Sequence, residues 1–149
     1  MTSNTFTIDQ AIPSAILHTM LRVSDLDRAV DFYQDALAMQ VFSRQTFTQA
    51  RFTLVFMGYG NPANNPCVEL TYNWDKVDYQ QGSAYGHIAL KVANIYAACD
   101  RLANLGISIL RQPGPMNHRS EETEYSDIIA FIEDPDGYKI ELIQAWTID

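Results

Sequence analysis

A near-duplication limits what this chain can fold into more than any other feature. His18-Thr19-Met20-Leu21-Arg22-Val23 recurs as His87-Ile88-Ala89-Leu90-Lys91-Val92: His, two spacers, Leu, a basic residue and Val, offset by 69 residues. A second pair, Val68-Glu69-Leu70 and Ile140-Glu141-Leu142, is offset by 72. Each half therefore opens a strand with His and closes a strand with Glu. Two units repeated once are a duplicated module, not a solenoid.

The pattern around these anchors fills in the module. Residues 15–23 alternate as a strand, and Ser24-Asp25 reads as a helix start. Leu26, Ala29, Val30, Tyr33, Ala36 and Leu37 fall at helical spacing, which predicts a helix over 25–37. Strands follow at 39–47, 51–59 and 67–73. In the second half the same order gives a strand at 86–92, an Asn94 cap, a helix over 95–105 closed by Gly106, and strands at 107–111, 127–133 and 138–145. The expected fold is α+β, two tandem βαβββ modules whose mixed sheets form a cupped, barrel-like site. The expected division is an N-terminal arm at 1–14, a first module at 15–73, a connector at 74–84 and a second module at 85–149. The polar stretch 113–126, with Glu121, Glu122 and Glu124, breaks the repeat and reads as a surface loop or flap.

Bulk properties narrow the function classes. A net charge of −8 argues against nucleic acid or an anionic membrane as partner. Cys67 and Cys99 are the only two cysteines, without CxxC spacing, so a disulfide scaffold or Cys-rich zinc site is not expected. No apolar run approaches the ~20 residues of a membrane span, and residues 1–14 do not resemble a secretory signal. A cytoplasmic protein is the simplest expectation.

Strand alternation groups the polar residues. His18 shares a face with Met20 and Arg22, Glu69 with Thr71 and Asn73, and His87 with Ala89 and Lys91. If the two halves face each other, His18, Glu69, His87 and Glu141 form one four-ligand metal site, with Arg22 and Asn73 lining the same cavity. Two imidazoles and two carboxylates suit Ni²⁺, Co²⁺, Zn²⁺ or Fe²⁺ better than Ca²⁺ or Mg²⁺. Four protein ligands leave octahedral positions open for substrate.

The stretches LHTMLRVSDLDRAVDFY, VELTYNW, GSAYGHIALKV and FIEDPDGYKIELI resemble glyoxalase I sequences of the vicinal-oxygen-chelate superfamily, over roughly residues 16–144. The resemblance implies a lactoylglutathione lyase that isomerises the methylglyoxal–glutathione hemithioacetal to S-lactoylglutathione. It also implies a homodimer whose sites lie at the subunit interface, each combining module one of one chain with module two of the other. The family's metal ligands fall on His18, Glu69, His87 and Glu141, with Glu141 as base and Glu69 across the metal. Its glutathione contacts fall on Arg22 and Asn73. Ni²⁺ is the first expectation for the metal, with Zn²⁺ or Co²⁺ as alternatives.

Three features depart from the pattern. The 113–126 stretch is longer and more acidic than the short Lys-bearing segment of similar sequences, with Arg119 in the place of the Lys. Ala38 stands where Gly is common, and His118 reads as an exposed loop residue. Two other functions compete: an Fe²⁺ extradiol dioxygenase, which Glu69 argues against, and a non-catalytic binding protein of the same fold.

Overall fold

The computed structural model describes residues 5–145. The expectations for residues 1–4 and 146–149 lie outside the described residues. A 3-10 turn at Ile8–Gln10 precedes two copies of one pattern. The first is β1 (His18–Arg22), α1 (Leu26–Asp31), β2 (Gln40–Phe47), β3 (Phe52–Gly58) and β4 (Cys67–Asn73). The second is β5 (Ile88–Val92), α2 (Ile95–Asn104), β6 (Ile109–Pro115), β7 (Ile128–Glu133) and β8 (Lys139–Gln144). Each set of four strands makes one mixed sheet, in the orders β1-β4-β3-β2 and β5-β8-β7-β6. In each, the first strand lies parallel to the last and the remaining pairs are antiparallel. The α+β expectation with a βαβββ order is thus the observed fold.

The helices start where short polar side chains can take up unpaired amides. The Asp25 carboxylate accepts from the Arg28 amide at 3.0 Å, and Asn94 does the same for the Ala97 amide at 3.0 Å. Gly106, with φ of +81°, ends α2 by turning into the left-handed region. The first helix departs from the expected continuous run over 25–37. After α1 the chain widens into a π-helical turn at Phe32–Ala36, and Ala38 reverses it with φ of +57°. The Met39 amide then reaches back to the Tyr33 carbonyl at 2.9 Å. Ala38 therefore holds, at some cost, a left-handed conformation that suits Gly better.

One face of each sheet packs on its helix. Leu21, Val55, Met57, Val68 and Leu70 meet Leu26, Ala29, Tyr33 and Leu37, while Ala130, Ile132, Ile140 and Leu142 meet Ile95, Cys99 and Leu102. All belong to a single apolar cluster, so the halves share an interior. Directional bonds lock them together. The Tyr33 hydroxyl donates to Asp134 Oδ2 at 2.7 Å, and the Ser24 amide and hydroxyl donate to Asp136 Oδ1 at 3.1 and 2.5 Å. Tyr138 Oη donates to the Arg22 carbonyl at 2.7 Å. The Arg101 guanidinium donates to the Ala36 and Asp35 carbonyls, each at 2.7 Å, where the first helical segment ends. Burial raises the Asp134 carboxyl above its ordinary range, against the bonds from Tyr33 and from the Tyr138 and Asp136 amides, which lower it.

The stretch read as a loop over 113–126 is partly strand. β6 continues to Pro115, and the loop spans 116–127. Pro113 and Pro115 fit into β6 because it is an edge strand, where proline is tolerated. Register shifts between Ile109 and Arg111 and between Arg111 and Gly114 interrupt the β6–β7 ladder. Arg111 fills the gap, donating to the Ile129 carbonyl at 2.8 Å, Pro115 at 2.7 Å and Gly114 at 3.2 Å. The Met116 amide donates to the Asp127 carbonyl at 3.0 Å and closes the loop base. Arg119 turns inward onto the Thr123 and Glu124 carbonyls, so its donors serve the loop.

Two substitutions check this account. Ala38→Gly removes the left-handed penalty and raises unfolding free energy by about 1 kcal/mol in urea denaturation. Arg111→Met speeds amide exchange across residues 116–127 by roughly tenfold or more, while exchange in α2 is unchanged.

Candidate active site

The sheet faces turned away from the helices carry the polar residues singled out by alternation, and the two sheets carry them in the same register. Glu69 on β4 pairs with Met20 on β1, two residues after His18. Glu141 on β8 pairs with Ala89 on β5, two residues after His87. Period-two alternation then puts each His on the same face as its Glu. His18 Nε2 lies 3.2 Å from Glu69 Oε2, and His87 Nε2 lies 2.8 Å from Glu141 Oε2. The exposures match as well: 37% and 13% for the first pair, 41% and 12% for the second. Each Glu is thus tucked in and each imidazole half-open to solvent. His87 immediately precedes β5 and does not lie within it.

The structure brings the four expected ligands together as two pairs. Among the described residues, no group of three or more His, Cys, Asp or Glu side chains is near enough to hold a metal ion. One chain therefore presents two half-sets of donors on two sheets.

Each imidazole is held by an aromatic ring that sequence reasoning did not identify. Phe56 meets His18 edge-on at 5.4 Å and 78°, and Phe131 meets His87 at 5.3 Å and 80°. Phe56 pairs with Glu69 across β3–β4, and Phe131 with Glu141 across β7–β8. The signal was in the sequence: these phenylalanines are a third repeated pair, 75 residues apart, after the offsets of 69 and 72.

One concave region adjoins the second pair, and another lies beyond the end of β1. A cavity of about 510 Å³ is lined by Gln81, Tyr85, His87, Arg111, Phe131 and Lys139, among others. Tyr85 Oη is buried there without a hydrogen-bond partner among the described residues. Burial, then the Asp134 carboxylate, raises its pKa, so it keeps its proton at neutral pH and has a donor to offer. The second region is a cleft of about 200 Å³ beyond the end of β1, lined by Arg22, Asp78, Tyr79, Gln81, Asp136 and Tyr138. Arg22 brings a cation to it. Asn73, on the face shared with Glu69, donates from Nδ2 to Tyr79 Oη at 3.1 Å. Arg22 lines this cleft, whereas Asn73 does not and is tied to it only by its bond to Tyr79. His118 lies in the exposed 116–127 loop, as expected.

The donor set itself suits a first-row divalent cation: two imidazoles and two carboxylates, each His already oriented beside a Glu.

Known proteins share this architecture. The profile of the Glyoxalase/Bleomycin resistance protein/Dioxygenase superfamily matches residues 15–142. A lactoylglutathione lyase of Neisseria meningitidis is 48% identical over 129 residues, covering 87% of this chain and 89% of that protein. A probable lactoylglutathione lyase of Synechocystis is 47% identical, covering 87% and 94%. Among solved structures, the trypanothione-dependent glyoxalase I of Leishmania major superposes with a TM-score of 0.73 at 36% identity, covering 89% of this chain and 87% of that one. Glyoxalase I of Zea mays superposes with a TM-score of 0.78 at 35% identity, covering 87% of this chain and 44% of that one. With its repeated sheets, paired His–Glu geometry and nearly full-length similarity, the chain belongs to the Glyoxalase/Bleomycin resistance protein/Dioxygenase superfamily.

Proposed function

We propose that this chain is a lactoylglutathione lyase, converting the hemithioacetal of methylglyoxal and glutathione to S-lactoylglutathione. The observation that carries the reading is the identical His–Glu placement in both halves, 3.2 and 2.8 Å between Nε2 and Oε2, in a chain 48% identical to a lactoylglutathione lyase. His18 and Glu69 would hold a divalent cation together with the His87 and Glu141 pair of a second copy. Ni²⁺ is the first choice, with Zn²⁺ or Co²⁺ as alternatives. The active form is then a homodimer with its sites at the subunit interface. Three facts support this: a single chain leaves the pairs apart, β1 and β5 are edge strands, and the faces carrying the pairs are not packed on the helices. Two free thiols fit action in the cytoplasm. Among the described residues no helix is long and apolar enough to cross a membrane.

A cation bound by these ligands supplies positive charge where the enediolate develops, which no uncharged strand could provide. The remaining work falls to the chain's own side chains. Glu141 takes the proton from C1 of the hemithioacetal and returns it at C2. The O1 proton ends on O2, C1 becomes the thioester carbonyl and C2 the carbinol, so no atom is gained or lost. The edge-on contact of His87 with Phe131, and the pairing of Glu141 beside both, fix the neighbourhood in which Glu141 moves that proton. Glu69 stands on the other side of the reacting atoms. Arg22 and Asn73 hold the peptide part of the substrate, so their contacts persist from ground state to transition state.

An extradiol dioxygenase requires one carboxylate where this chain offers two, and Glu69 beside His18 disfavours it. Glu141→Gln lowers kcat by roughly two to four orders of magnitude, followed as thioester absorbance with the Ni²⁺-loaded protein; turnover near wild type removes Glu141 from the proton transfer. Arg22→Ala raises KM severalfold more than it lowers kcat in the same assay; an unchanged KM takes Arg22 out of the binding cleft.

A further inference from the structure

Tyr79 belongs to neither repeat and lies in the connector between β4 and β5. Its hydroxyl sits between two groups. Asn73 Nδ2 is 3.1 Å away and the Lys76 carbonyl 3.4 Å away. A phenol has one proton. The Lys76 carbonyl can only accept, so Tyr79 donates to it and must accept from Asn73. The direction of this relay fixes the Asn73 side chain. Its NH₂ faces Tyr79, and Oδ1 is left without a protein partner among the described residues. The connector is itself held in place. Lys76 folds its ammonium over the Tyr79 ring at 5.5 Å, and its amide donates to the Asn73 carbonyl at 3.2 Å. Tyr79 also lines the 200 Å³ cleft that contains Arg22.

We propose that Tyr79 is a positioning residue that locks the Asn73 amide with its NH₂ turned to Tyr79 and its Oδ1 left for a ligand N–H, beside the cleft where Arg22 offers a cation to a carboxylate. An amide free to rotate would offer NH₂ as readily as oxygen and discriminate less. This rests on the glutathione-adduct reading above, since that reading makes the peptide part of the thiol the ligand. It goes beyond it by assigning a role to a connector residue and a hydrogen-bond direction to Asn73.

The test compares wild type, Tyr79→Phe, Asn73→Ala and the double variant, all full-length and Ni²⁺-loaded, with the methylglyoxal–glutathione hemithioacetal. Tyr79→Phe is expected to raise KM roughly five- to tenfold, with kcat within about twofold. In the Asn73→Ala background the same change has no further effect, because the amide it acts through is gone. A second readout does not depend on turnover: the side-chain ¹⁵N–¹H₂ correlation of Asn73, assigned by its loss in Asn73→Ala, shifts or splits in Tyr79→Phe. Equal KM effects in both backgrounds, or an Asn73 amide signal indifferent to Tyr79→Phe, overturn the proposal. Wild-type protein that fails to turn over the hemithioacetal overturns the lyase reading, and the amide spectrum then decides the role of Tyr79 on its own.

Discussion

The interaction on which the rest depends is the parallel pairing of the first strand of each half with its last. Parallel registers cannot be set by a tight turn, so a long crossover must bring β4 back beside β1, and β8 beside β5. That crossover is the helix and the two intervening antiparallel strands. Once it closes, a His at the start of the first strand and a Glu in the middle of the last are two positions apart on one face. A slip of one residue in either pair would turn the Glu into the apolar interior and Leu70 or Leu142 out of it. The core therefore enforces the site, because burying Val68 and Leu70 on one side requires Glu69 to stand on the other.

The division of labour between the two sheet faces follows from the same constraint. The helix-side faces merge into one interior, and the links across it are short and directional. Asp134 is the clearest case. Its carboxylate is 4% exposed, and three donors from both halves compensate its burial. The opposite faces carry His18, Glu69 and Phe56 on one sheet, and His87, Glu141 and Phe131 on the other. The chain thus has one core and two separate working surfaces.

Much of this was legible in the sequence because it depends on periodicity. Alternation by two and helical spacing report local geometry directly, and the offsets of 69 and 72 show the geometry occurring twice. What depended on tertiary context was less visible. The polar stretch over 113–126 read as a loop throughout, because nothing local reveals that β6 runs on to Pro115 as an edge strand or that Arg111 donates across its interrupted ladder. The π-helical turn at Phe32–Ala36 obeys the same apolar spacing as an α-helix, so periodicity over 25–37 could not distinguish them. Tyr33 with Asp134, and Asn73 with Tyr79, are contacts between residues no repeat relates. The four donors picked out by alternation fall into two matched His–Glu contacts, and spacing alone could not say that one chain would hold them as two pairs.

The bond from Tyr138 to the carbonyl of Arg22 has a consequence for how such a site can drift through descent. Every amino acid offers the same carbonyl, so the anchoring duty at position 22 makes no demand on which side chain stands there. The guanidinium can therefore be exchanged for another head group without loosening the joint. The tyrosine that donates to it has no such latitude, and neither does Arg101, whose donors also end on main-chain carbonyls. The choice of side chain at position 22 is thereby uncoupled from the mortise that holds the halves together.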